Sequence, residues 1–214
     1  MQVQRGIKYV RLDEADPYRT GYAYGRLLLE SGEPIIALMK NRLVRGVVWL
    51  LSRVAGKHLR RIRVPTRYVD EIRGYADATG IAFAHLYFMN FLFDILKEYG
   101  FHCSTLVFFN PQGTLVGRNT DLMPALAKIG LKYYAPIVLD LSMPGQRRFS
   151  HVSIPFFVGA LNGFNQDGLA VSSHQIIEVD ERAEGPRLGA SLLMRMLLEG
   201  ASSIEQAARI VQDN

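Results

Sequence analysis

The stretch Cys103-Ser104-Thr105-Leu106-Val107-Phe108-Phe109-Asn110-Pro111-Gln112-Gly113-Thr114-Leu115-Val116-Gly117-Arg118-Asn119-Thr120-Asp121 marks a change of architecture along the chain. Upstream of it, apolar residues recur at helical spacing. From Cys103 onward the period is two, which is the signature of strands. Pro111-Gln112-Gly113 supplies turn chemistry in the middle, so the stretch reads as a two-stranded hairpin. Cys103 is the only cysteine, which excludes an intrachain disulfide. A thiol attacks as the thiolate, and a neighbouring cation favours that form. A hairpin returning on itself brings Arg118 beside Cys103 and carries Asp121 back toward the same end.

Reading outward, further strands are expected at 137–141, 149–154, 158–162 and 169–176, after 104–109 and 115–119 in the hairpin itself. Turns at Asn110-Pro111-Gln112-Gly113, Met143-Pro144-Gly145-Gln146 and Asn165-Gln166-Asp167-Gly168 separate several of them. Helices resume at about 188–198 and 203–212, the second behind a capping box made by Ser202 or Ser203 with Glu205 or Gln206. Upstream, Asp16-Pro17 fits a helix start, followed by Tyr18, Gly21, Tyr22, Gly25, Leu28 and Leu29. Gly21 and Gly25 permit another helix to approach closely. A second helix is expected over 33–55, with Ile36, Met39, Leu43, Val47, Leu50, Leu51 and Val54 on one side. A third spans about 65–79 and stops at Gly80, and a fourth begins near Phe83 and carries Leu86, Met89, Asn90 and Phe93. The order of a helical segment, an antiparallel sheet and further helices is that of an α+β chain.

The 214 residues are 49% hydrophobic and 21% charged, which excludes disorder, collagen-like and disulfide-scaffold classes. The net charge of +5 is uneven. Between Pro34 and Val69 there is no Asp or Glu, while Lys40, Arg42, Arg45, Arg53, Lys57, Arg60, Arg61, Arg63 and Arg67 all fall there. Such a run is a solvated helix face, or a contact for an anionic membrane surface or an acidic ligand. No nucleic-acid-binding motif accompanies it, so nucleic acid is not an expected partner. The N-terminus has no apolar signal region, and the most apolar window, 43–54, is interrupted by Arg45, Gly46, Ser52 and Arg53. The expected location is therefore cytoplasmic.

Cleavage of the His102–Cys103 bond would give Cys103 a free α-amine with a pKa near ~8, close enough to neutrality to take the thiol proton. The nucleophile would then bring its own base. At this point the residues resemble a known family. Cys103-Ser104-Thr105 with Gly117-Arg118-Asn119-Thr120-Asp121 resembles the start of the mature chain in the N-terminal-nucleophile amide hydrolases, in the branch of choloylglycine hydrolase, acid ceramidase and penicillin acyltransferase. Arg19-Thr20-Gly21-Tyr22-Ala23-Tyr24-Gly25 is similar to the early Gly-x-x-x-Gly helix of the acyltransferase branch. The segment from Tyr68 to Gly80, ending at Asn90, is similar to its prosegment. Val158-Gly159-Ala160-Leu161-Asn162-Gly163-Phe164-Asn165-Gln166-Asp167-Gly168-Leu169 is similar to the turn after the active-site sheet.

The resemblance implies an αββα sandwich preceded by a helical prosegment, residues 1–102, with residues 103–214 forming the N-terminal part of the catalytic domain. It implies self-cleavage before Cys103 and hydrolysis, or acyl transfer, of linear amide bonds in small N-acyl compounds. Cys103 is the implied nucleophile, Arg118 the cation that stabilises negative charge beside it, and Asp121 the acceptor for the new α-amine or the substrate amine. The oxyanion-hole Asn of the family falls on Gln175 by ungapped spacing, or on His174 with a shift of one. This chemistry calls for no metal or organic cofactor. The family's further Asn and Arg have no counterpart in these residues, so the expectation is either that a second chain or oligomer completes the fold or that the sequence is a fragment. The basic region between Pro34 and Val69 is expected to contact a membrane surface, lipid or acyl substrate. The competing reading is an unprocessed, non-catalytic protein of the same fold that binds a membrane or acidic partner through its basic helix. A redox-sensing thiol is a third.

Overall fold

The computed structural model describes residues 1–4, 7–95, 102–121, 133, 136–174 and 186–214. A six-stranded sheet runs in the order β1 (Gln2–Gln4), β2 (Ile7–Asp13), β6 (Ile137–Ser142), β7 (Phe149–Ser153), β8 (Asn162–Asn165) and β9 (Ala170–Ser172). The pair β2–β6 is parallel, and the other neighbours in this sheet are antiparallel. Period-two burial explains the strands: Val10 and Leu12 point inward from β2, and Ile137, Leu139 and Leu141 from β6. The turn after β6 has Gly145 at φ 75°, and the turn after β8 has Gly168 at φ 84°, a region open to glycine. The Asn165 side chain organises that second turn. Its Oδ1 accepts from the amides of Asp167 and Leu169, and its Nδ2 donates to the carbonyls of Leu198 and Ala201.

The helical layer begins with α1 (Pro17–Glu30), whose cap Asp16 accepts from the Arg19 amide at 2.8 Å. It packs along α5 (Thr66–Thr79), and the expected role of the early glycines holds there. A Cβ at Gly21 would sit 1.9 Å from the Glu71 carbonyl oxygen, and one at Gly74 would sit 2.1 Å from that of Tyr18. Tyr24 and Leu28 of α1 and Ile72 and Tyr75 of α5 are fully buried at this contact and against the sheet. The aliphatic Leu28 and Ile72 each contribute roughly 1.5–3 kcal/mol by removal from water.

The single helix expected over 33–55 is two. α2 (Pro34–Lys40) stops at Asn41, whose backbone is extended (ψ 131°) and whose Oδ1 accepts from the amides of Leu43 and Val44 to start α3 (Arg42–Val54). The apolar period runs unbroken through that cap, so the break leaves no trace in the pattern. A short α4 (Gly56–Leu59) follows, and β3 (Ile62–Arg63) pairs in parallel with β10 (Arg187–Leu188). α6 (Phe83–Asn90) and α7 (Leu92–Ile95) complete the upstream half. Downstream lie α8 (Ala190–Gly200) and α9 (Ile204–Gln212), with Ser203 capping α9 as expected.

The expected strand at 158–162 is replaced by irregular backbone, with β8 starting at Asn162. Asn90 explains this. Its Nδ2 donates to the carbonyl of Phe156 and its Oδ1 accepts from the amide of Val158, taking backbone groups a strand ladder would use. Phe156 itself sits at φ 66°. Between α5 and α8 a polar network centred on the fully buried Arg195 holds the two halves together. Arg195 pairs with Glu71 at 2.7 Å and with Glu199 at 2.8 Å, and donates to the carbonyl of Val158 at 2.6 Å. Tyr75 donates to Glu71, while Tyr68 donates to Glu199, which also pairs with Arg67. The buried Arg195 and the half-buried Arg67 thus face the two buried carboxylates of Glu71 and Glu199.

Candidate active site

β4 (His102–Asn110) and β5 (Gly113–Asp121) form an antiparallel hairpin that is a sheet of its own among the described residues. Its register pairs Cys103 with Thr120 and Thr105 with Arg118. Alternation then puts Cys103, Thr105 and Arg118 on one face, with Cys103 and Arg118 as diagonal neighbours within reach of a long side chain. Arg118 uses that reach. Its Nη2 lies 3.0 Å from the Cys103 Sγ and donates to the Ser173 carbonyl, also at 3.0 Å. Cys103 is half-buried, so the guanidinium and the sulfur meet at a partly sheltered corner of the hairpin.

His174 comes to the same corner. Its Nδ1 is 3.2 Å from the Cys103 carbonyl oxygen, and its Nε2 is 2.7 Å from the Thr105 Oγ1, which is also 2.9 Å from the Ser172 Oγ. A carbonyl can only accept, so Nδ1 carries the proton. In the neutral ring Nε2 then accepts from the Thr105 hydroxyl, and Thr105 accepts from Ser172. Both ring nitrogens of His174 are thereby engaged with β4. Asp121 occupies the register position opposite His102, one place from Cys103, and only its backbone is described. Gln175 lies outside the described residues. On the other face, the Asn119 Oδ1 accepts from the Ser104 amide at 2.9 Å.

The structure therefore gathers Cys103, Arg118 and His174 at the end of β9. Thr105, Ser172 and the Ser173 carbonyl were given no role from the sequence, Thr105 standing only as part of the Cys103-Ser104-Thr105 motif. Thr105 had a signal, since it stands two residues from the thiol on a strand of period two. Ser172-Ser173 had none, because its contacts depend on where the sheet ends. A surface depression of about 490 Å³, lined by Tyr9, Arg11, Leu27, Asp140 and Arg148 among others, does not include Cys103 or Arg118.

The mixed α+β architecture agrees with an N-terminal-nucleophile hydrolase type of protein. The family model for acyl-coenzyme A:6-aminopenicillanic acid acyl-transferase matches residues 108–214, half of the chain, and the chain belongs to that family. The match starts within β4 and takes in Arg118, Asp121 and His174, with Cys103 just ahead of it. A search of curated proteins returns no match. Family membership puts the chain among enzymes of acyl transfer and amide cleavage. No described helix is long and apolar enough to cross a membrane.

Proposed function

We propose that this chain is the precursor of a cysteine hydrolase or acyltransferase acting on linear amides of N-acyl compounds. The observation that carries the reading is the 3.0 Å approach of the Arg118 guanidinium to the Cys103 sulfur, produced by the hairpin register and braced by the Ser173 carbonyl. In the precursor, Cys103 Sγ attacks the carbonyl carbon of His102. The peptide nitrogen leaves as the α-amine of Cys103, and water hydrolyses the resulting thioester to the His102 carboxylate and the free Cys103 thiol. In the mature enzyme that amine takes the thiol proton and the thiolate attacks the substrate carbonyl. The C–N bond breaks, the amine departs with the proton, and the acyl group remains as a thioester until water or a second amine takes it. Arg118 stabilises charge on sulfur, and Asp121, opposite His102, receives the α-ammonium. Gln175 is the donor proposed for the oxyanion, since His174 is engaged with β4. The hairpin is proposed to belong to the second sheet of an αββα sandwich, with residues 1–102 as prosegment and 103–214 as catalytic region.

The test is N-terminal mapping of purified protein followed by a panel of N-acyl amides. The expected result is a new N-terminus at Cys103, an intact chain for Cys103→Ala, and turnover reduced about 10²-fold or more by Arg118→Met. Wild-type protein that stays intact and whose Cys103 resists alkylation would rule the enzyme reading out.

A further inference from the structure

Helix α3 turns its apolar side away from the protein. Leu43, Val47, Leu50 and Val54 follow one another at spacings of four, three and four, so they form one stripe. They are 81%, 57%, 56% and 74% exposed. Only Val48 is buried on this helix, against Phe88 of α6, with Val44 partly buried beside it. The helix is therefore held along one edge and open along the stripe. Isolated exposed apolar residues are ordinary on a protein surface, but a continuous stripe marks a contact.

The surroundings of the stripe identify the occupant. Arg42 and Arg53 fall on the same flank of the stripe at opposite ends of α3, and Lys57 and Arg60 lie beyond it, in and just after the short α4. Arg42, Arg53 and Lys57 form no ion pair with a described residue, and no acid occurs between Pro34 and Val69 to neutralise them. Trp49, 52% exposed, holds the Arg53 guanidinium 4.4 Å above its ring. A second copy of the chain would bring these cations against each other. A partner that is apolar within and anionic at its edge satisfies both parts of the surface, and a bilayer rich in acidic headgroups is that partner. The helix is too short to cross it and is shaped to lie in its surface. We infer that α3 docks the protein on anionic membranes. The stripe enters the acyl boundary, Trp49 sits at headgroup level, and the bases face the phosphates. This inference stands apart from the reading of Cys103.

The test is co-sedimentation of the full chain with phosphatidylcholine vesicles, with and without phosphatidylserine. Binding is expected to be at least tenfold tighter with the anionic lipid and to weaken as salt rises. Val47→Asp with Leu50→Asp should abolish it. Arg42→Ser, Arg53→Ser and Lys57→Ser together should weaken it about a hundredfold, near fivefold for each charge. These side chains are exposed, and an unchanged circular dichroism spectrum shows that the fold survives. No binding, or equal binding to both vesicle types, would overturn the inference. So would a vesicle-independent dimer that the two aspartates disrupt.

Discussion

His151 makes the protein acid-sensitive through a proton the native state cannot accept. It stands on β7 opposite Leu139, is 3% exposed, and neither ring nitrogen has a hydrogen-bond partner among the described residues. Burial first, and then the positive charge of Arg195, press its pKa from the ordinary 6.5 down to about 3. The unfolded chain takes up this proton below about 6.5 and the native chain does not until about 3. Stability from this residue is therefore complete above pH 6.5 and falls as pH drops toward 3. One proton corresponds to about 1.4 kcal/mol per pH unit, so the loss is about 2 kcal/mol at pH 5 and roughly 5 kcal/mol by pH 3. That is a large share of the 5–15 kcal/mol typical of a folded domain. The measurement is urea unfolding of wild type and His151→Leu from pH 7.5 to 4.5. Carboxylates titrate in both proteins, so the difference between them isolates the imidazole. The wild type should lose about 2.7 kcal/mol more than the variant between pH 7.5 and 4.5. Parallel pH dependences would refute the argument.

Two further substitutions probe the frame around the site. Gly74→Ala places a methyl group where the Tyr18 carbonyl oxygen lies 2.1 Å away. α1 and α5 must part by about 1 Å, which should cost about 3 kcal/mol or more in denaturant unfolding. Arg195→Met removes the cation from the buried carboxylates of Glu71 and Glu199. A loss of about 3–5 kcal/mol is expected, and the double change that also replaces Glu71 by Gln should recover part of it.

The hairpin was legible because its punctuation is local: Pro111 to Gly113 turn the chain, and the register that follows is what sets Arg118 diagonal to Cys103. That another helix would approach α1 closely was legible for a similar reason, since Gly21 and Gly25 present no side chain, but that the partner is α5 was not. What could not be read depended on distant partners. A stripe such as Leu43, Val47, Leu50 and Val54 shows that a helix is amphipathic, not which side faces the protein, and here the apolar side faces out. Strand β2 is a central member of the sheet, yet its inward residues are only Val10 and Leu12, too short an alternation to stand out. Asn41 and Asn90 redirect backbone by side-chain hydrogen bonds that apolar periodicity does not register. Spacing alone leaves Gln175 and His174 as alternatives for the oxyanion donor, and the engagement of His174 with Thr105 and the Cys103 carbonyl follows from the meeting of β4 with the end of β9.

Strand β2 belongs to the upstream half of the chain but lies hydrogen-bonded along β6, and Arg195 reaches from the downstream half to Glu71. A nick at position 102 would therefore part the covalent chain without parting the molecule. Two bands on a denaturing gel would travel as one particle through a sizing column, and neither piece would be expected to keep its shape alone.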